Sequence, residues 1–177
     1  SVVYDTLAKE CEVNADEMEQ YYQENADALR EEYTQITIDT IMVNDEATAK
    51  EVSEKAKAGE DFAALFETYD TDTSAKENGG NGQMTLYQNY LNNTFGLSEN
   101  LTLGEITDPI EVRGSYFILK VESITPPTDE QVKQLAEDAY RQQVQSAYVE
   151  SRLSEMIAAQ EVEKIPEAWE NMETFQD

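Results

Sequence analysis

With 177 residues, 40% of them apolar, the chain has material for one good core or two small ones and lies outside the disordered class. Its 38 acidic residues against 12 basic ones, with no histidine, give a formal net charge of -26. Such a surface repels nucleic-acid phosphates and anionic lipid headgroups, and it lacks the side chain that normally switches charge near neutral pH.

The first predicted element is helical. Asn14 followed by Glu17 reads as a capping box, and Met18, Tyr21, Tyr22, Ala26 and Leu29 recur near the 3.6-residue period, so a helix is expected over Ala15 to about Glu32. Its apolar stripe is narrow, and it needs a packing partner elsewhere in the chain. A strand follows from Thr34 to Val43, rich in isoleucine. Next comes a helix from about Asp45 to Ala58, with Gly59 as its left-handed terminator, and a shorter helix from Asp61 to Thr68 anchored by Phe62, Leu65 and Phe66. The stretch from Tyr69 to Met84 is polar and glycine-rich and reads as an irregular connection. Leu86, Tyr87, Tyr90, Leu91, Phe95 and Leu97 read as a short helical or looped apolar patch. Two brief strands near Ile110 to Val112 and Tyr116 to Val121 close the unit, and Pro126 and Pro127 punctuate its end.

A long helix opens at the capping box of Thr128 and Gln131 and reaches about Ala159. Val162, Ile165 and Trp169 read as anchors of a short strand and a final turn, limited by Pro166. The economical arrangement pairs the first helix with the last. Three segments are expected: 1–33 helical, 34–125 α/β, and 126–177 helical and packed on the first. The fold class is α+β, a small α/β roll with a helical lobe built from both chain ends. The chain starts at Ser-Val-Val without Met, which reads as a processed or trimmed form with any signal or lipid-anchor segment removed. No stretch approaches the roughly 20 apolar residues of a membrane span.

Several chemistries drop out. Without histidine there is no Ser/His/Asp triad and no His-based zinc site, and Cys11 alone makes neither an intrachain disulfide nor a thiolate cluster. Asn78-Gly79-Gly80-Asn81-Gly82 follows no buried strand and opens no helix, so it is not a dinucleotide fingerprint. Asp70, Asp72 and Glu77 lack calcium-loop spacing, because Asn81 stands where the bidentate Glu belongs. No cofactor and no metal are expected.

The middle stretch resembles the parvulin family of peptidyl-prolyl cis-trans isomerases, in the extracytoplasmic foldase branch typified by PrsA and SurA. Asp39-Thr40-Ile41-Met42-Val43 is similar to the family strand Arg-His-Ile-Leu-Val. Ala58-Gly59-Glu60-Asp61-Phe62 falls at the next helix, Tyr69 to Lys76 at the following loop, and Gly79-Gly80 at its paired glycines. Phe95-Gly96-Leu97, the run from Leu103 to Ile110, and Gly114 to Lys120 complete the order over about 90 residues.

The resemblance implies an FKBP-like superfold and a foldase that assists folding of secreted proteins. It also implies clients that are unfolded or partly folded polypeptides, proline-containing ones among them, and a lipid-anchored address outside a bacterial cytoplasmic membrane. It implies a catalytic centre at Asp72, Thr40 and Phe117, where the family carries a Cys or Asp and two histidines. The proline pocket falls on Met84, Tyr87, Tyr90, Phe95 and Tyr116. Thr40 and Phe117 replace both histidines, so the active site is degenerate and weak or absent isomerase activity is expected. The alternative is a non-enzymatic chaperone or peptide-binding module on the same fold. A third reading is a structural domain of a larger surface assembly. Helix pairing between chains offers a dimer.

Overall fold

The structure is a computed structural model and describes residues 2–77 and 80–159. The expected anchors Val162, Ile165 and Trp169 lie outside the described residues. The chain divides into two compact units, one formed by residues 30–128 and one by both flanks.

In the flanking unit, α1 (Val2–Glu10) and α7 (Asp129–Ala158) share an apolar core of Val3, Leu7 and Ala8 with Val149 and Met156. Full burial of a Val, Leu or Met side chain contributes about 1.5–3 kcal/mol, so this seam is the main apolar contribution to the helical unit. The sequence reading places no helix before Ala15, although Val3, Leu7 and Ala8 fall on one helical face. α2 (Ala15–Glu32) begins where Asn14 Oδ1 accepts from the backbone N–H groups of Asp16 and Glu17 at 2.9 and 3.1 Å. It buries no residue fully. Its contacts with α7 are aromatic and polar: Tyr21 lies 5.6 Å from Tyr140, and the Tyr140 hydroxyl donates to Glu17 at 2.8 Å. The apolar pairing partner of α7 is therefore α1, and the acidic α2 is held mainly at its tyrosines.

The central unit is a four-stranded antiparallel sheet with helices against it. Its elements are β1 (Gln35–Val43), α3 (Glu46–Lys57), α4 (Phe62–Tyr69), α5 (Thr73–Glu77), β2 (Gln83–Tyr87), α6 (Gln88–Phe95), β3 (Ile110–Val112) and β4 (Ser115–Thr125). The strand order is β2-β1-β4-β3. β1 and β4 pair along their length, with Thr40 opposite Leu119 and Met42 opposite Phe117, and the register shifts between Thr37 and Ile38.

Side chains alternate across a strand, and the two faces build two cores. Ile41, Val43 and Ile118 pack with Ala49, Val52 and Ala56 of α3 and Phe62, Leu65 and Phe66 of α4. Ile36, Ile38, Leu119 and Val121 pack with Leu91 and Phe95 of α6 and with Leu101. α3 and α4 start where short acids accept orphan N–H groups: Asp45 from Thr48 at 2.8 Å, and Asp61 from Ala64 at 3.3 Å. Gly59 follows α3 at φ 98°, the left-handed conformation that ends it.

One element departs from the sequence reading. Gln83–Tyr87, expected as part of a loop and an apolar patch, is an edge strand paired with Gln35–Asp39. Only Leu86 of its five residues is even half-buried, so its hydrophobic alternation is too faint to read. Hydrogen bonding to β1 makes it a strand.

Candidate functional site

β2 stops at Gln83 while β1 continues to Val43, and the sheet opens at this step. The exposed side of β1 is covered by two loop segments. Thr40 donates its backbone N–H to Gly82 O at 3.0 Å and its hydroxyl to the same oxygen at 2.8 Å. One strand position further, the Met42 N–H donates to Asp70 Oδ2 at 2.8 Å, and Met42 O accepts from the Thr71 N–H at 2.9 Å.

Gly82 is required at its place. It has φ 73°, and a Cβ there would stand 2.3 Å from Thr40 O and 2.9 Å from the Phe66 ring. Asp70 is the organising acid of the loop: Oδ2 holds Met42, and Oδ1 accepts from the Asp72 N–H at 2.7 Å. Burial raises its pKa above the ordinary carboxylate value, and the two backbone donors oppose that shift. Lys76 adds a cation, donating to Asp70 O at 2.8 Å.

Between these segments lies a hollow of about 240 Å³. Its apolar walls are Met42, Phe66, Met84 and Phe117, and its polar groups come from Thr40, Asp70, Asp72 and the loop from Gly80 to Gln83. Thr40, Asp72, Phe117 and Met84 are thus brought to one place. Phe95 stands behind it, buried and edge-on to Phe117 at 5.5 Å. Tyr87 and Tyr90 do not line this hollow. They line a neighbouring one of about 270 Å³ with Gln35, Thr85 and Leu86. Tyr90 and Phe117 also line a third depression with Val112, Arg113 and Ser115.

Tyr116 lies on the opposite sheet face, against the α3–α4 core, because it precedes Phe117 by one residue. It is therefore not part of the hollow that Phe117 lines. Met42, Phe66, Asp70 and Gly82 were not singled out as site residues from sequence. Asp70 carried a readable signal, an Asp two residues before an Asp in a loop, which suits an Asx turn. The other three depend on tertiary proximity.

Among the described residues no cluster of Cys, Asp and Glu has the arrangement of a metal site, and no helix is long and apolar enough to cross a membrane. The site offers an apolar slot with carboxylates at its rim. It has no nucleophile paired with a base.

A sheet of this order, with helices against both faces and a hollow where its second strand stops short, fits a parvulin-type rotamase. The family model for the PPIC-type PPIase domain matches residues 13–137, and the chain is a member of that family. The foldase protein PrsA of Caldanaerobacter subterraneus is 30% identical over 159 residues, covering 90% of this chain and 51% of that protein. The crystal structure of foldase protein PrsA from Streptococcus pneumoniae superposes with a TM-score of 0.50 at 28% identity, covering 90% of this chain and 59% of that one. A SurA-like chaperone structure from Campylobacter jejuni also gives 0.50, at 18% identity, covering 89% and 66%, and shares the fold. The chain spans about half the length of the curated PrsA relatives it matches over most of its own length.

Proposed function

We propose that this chain is a peptidyl-prolyl cis-trans isomerase-like segment of an extracytoplasmic foldase. It holds extended stretches of unfolded polypeptide, proline-containing ones among them, and turns them over slowly. One observation carries the reading: an open hollow whose walls are Met42, Phe66, Met84 and Phe117 and whose rim carries Asp70 and Asp72.

Prolyl isomerisation breaks no covalent bond. Its barrier of about 20 kcal/mol comes from amide resonance, and a catalyst must favour the twisted amide over the planar one. The planar amide is the more polar of the two, so an apolar wall disfavours it relative to the twisted form. A proline ring against Phe117 and Met84 receives that contribution. Hydrogen bonds to the twisted amide supply the rest in an efficient site, and here they are few. The Thr40 hydroxyl is committed to Gly82 O at 2.8 Å, and Phe117 has no polar atom. Asp70 and Asp72 are the acids of the centre.

Binding without turnover is the second reading, and the same committed Thr40 hydroxyl favours it. Exchange NMR on an unfolded Xaa-Pro peptide with sub-stoichiometric protein separates the two. Cis-trans exchange above the uncatalysed rate, reduced in Phe117→Ala and Met84→Ala, supports slow catalysis. Saturable binding with the uncatalysed exchange rate selects the chaperone reading, and no binding overturns both.

The same reading carries an address outside the cytoplasmic membrane with a lipid anchor, tested by detergent-phase partition of the native protein. It also carries a dimer through the helical unit, tested by light scattering.

A further inference from the structure

From Asn81 to Ser98 the sequence contains no charged residue, although 28% of the chain is charged. This stretch folds as β2 and α6. β2 ends the strand order, so its outer edge faces no other strand. Thr40 N–H donates to Gly82 O and Gln88 N–H to Thr34 O. Together with the register, these bonds place Met84 and Leu86 in the hydrogen-bonded pairs with β1. Gln83, Thr85 and Tyr87 therefore turn their N–H and C=O groups outward.

The Gln83 N–H is taken by Asn81 Oδ1 at 3.1 Å. The outward groups of Thr85 and the outward N–H of Tyr87 take no hydrogen-bond partner among the described residues, whereas the Tyr87 C=O, as the N-cap carbonyl of α6, accepts that helix's first bond. Natural edge strands are usually blunted by lysine, proline or a bulge. This one has none of them. It displays Met84, Tyr87 and Tyr90 at 37%, 46% and 62% exposure instead. The hollow of Tyr87 and Tyr90 lies beside the edge, and the hollow of Thr40 and Phe117 is reached at Met84. Met84 lines the first hollow, and Thr85, Leu86 and Tyr87 line the second, so the two are neighbours along the edge.

We infer that the outer edge of β2 is a second peptide subsite. An extended segment of unfolded polypeptide pairs there as an added strand with Thr85 and Tyr87. It sets an apolar or aromatic side chain in the Tyr87–Tyr90 hollow, within a few residues of the proline held between Met84 and Phe117. The inference rests on reading the first hollow as a prolyl slot. Main-chain hydrogen bonds give such pairing its affinity without regard to sequence, and the side-chain hollow gives it preference. Charge selects the occupant. A second copy of this chain brings another net charge of -26 to the edge, whereas a segment with basic residues at its ends is attracted.

The test uses the full chain and peptides of about ten residues with lysines at both ends and tyrosine one, two or three residues from a single proline, followed by anisotropy and amide shifts. Thr85→Pro deletes an outward N–H and no backbone bond to β1, together with the Thr85–Thr37 hydroxyl bond at 2.9 Å, and the expected loss of affinity is about tenfold. Tyr90→Ala and a tyrosine-to-alanine peptide each lose about fivefold, and together they lose little more. A peptide N-methylated beside the tyrosine gives the same loss on the unmodified protein, independent of how Thr85→Pro folds. Equal affinity for all variants, with shifts at Phe117 and none from Thr85 to Tyr90, overturns the edge subsite and leaves the prolyl slot standing. Shifts from Thr85 to Tyr90 with none at Thr40 or Phe117 overturn the slot and leave the edge. Concentration-dependent loss of the Thr85 and Tyr87 amide signals without peptide assigns the edge to a second copy and overturns the inference.

Discussion

Thr40 gives both its backbone N–H and its hydroxyl to the carbonyl oxygen of Gly82, at 3.0 and 2.8 Å. The residue standing where the resemblance places a histidine thus closes the step at the end of β2. Thr40→Val keeps the shape and removes the O–H. The expected cost is about 1 kcal/mol of stability by denaturant unfolding. Prolyl exchange should stay within about twofold of the unaltered chain, because that hydroxyl is already committed. A tenfold fall would show that Thr40 acts on substrate.

Gly82→Ala meets two obstacles at once, a left-handed φ of 73° and a Cβ only 2.3 Å from Thr40 O. The expected destabilisation is about 2–4 kcal/mol, at the upper end for a single backbone-strain substitution. The amide resonances of Thr40 and Phe66 should move with it. A variant that melts with the unaltered chain and keeps those resonances would contradict the close approach.

Asp70 sets a pH dependence. Burial, its leading influence, raises its pKa in the folded chain above the ordinary carboxylate value. The stability it contributes is therefore complete below about pH 3.8 and is lost as pH rises through the folded value. Asp70→Asn removes the titration. The unfolding free energy of the unaltered chain minus that of the variant should fall as pH rises from about 3.5 toward 6. Urea titrations at several pH values measure it, and a difference that grows with pH would reverse the sign.

In the helical unit, Leu7 is buried against α7 with Val149 and Met156. Leu7→Ala should cost about 2–4 kcal/mol. Amide hydrogen exchange should quicken in α1 and around Val149, because α2 buries no residue fully and cannot replace the lost contact.

The legible parts of the fold are those with a local cause. Asn14, Asp45 and Asp61 cap helices in the structure, and each is a short polar acceptor at the start of its helix. The alternating Ile36 and Ile38 announce β1, and both are fully buried. β2 was not legible, since four of its five side chains are exposed and its strand character comes from pairing with Gln35–Asp39. The first helix was passed over for a different reason: Val3, Leu7 and Ala8 form too short a stripe to stand out until α7 covers them.

The candidate site divides in the same way. Thr40, Asp72 and Phe117 were reached through the order of family-like motifs, and the structure brings them to one hollow. Tyr87 and Tyr90 were read as part of that pocket, but the strand between Gln83 and Tyr87 carries them to the neighbouring hollow. Tyr116 also falls in the expected pocket, but one residue along a strand is a change of face, and it packs on the α3–α4 side.

The most direct measurement is an amide chemical-shift map of the full chain titrated with an unfolded proline-containing peptide. Binding at the step of the sheet predicts shifts concentrated on Thr40, Asp72, Met84 and Phe117, weakened in Phe117→Ala. Saturable shifts confined to the helices of the flanking unit, with those four resonances unmoved, would contradict it.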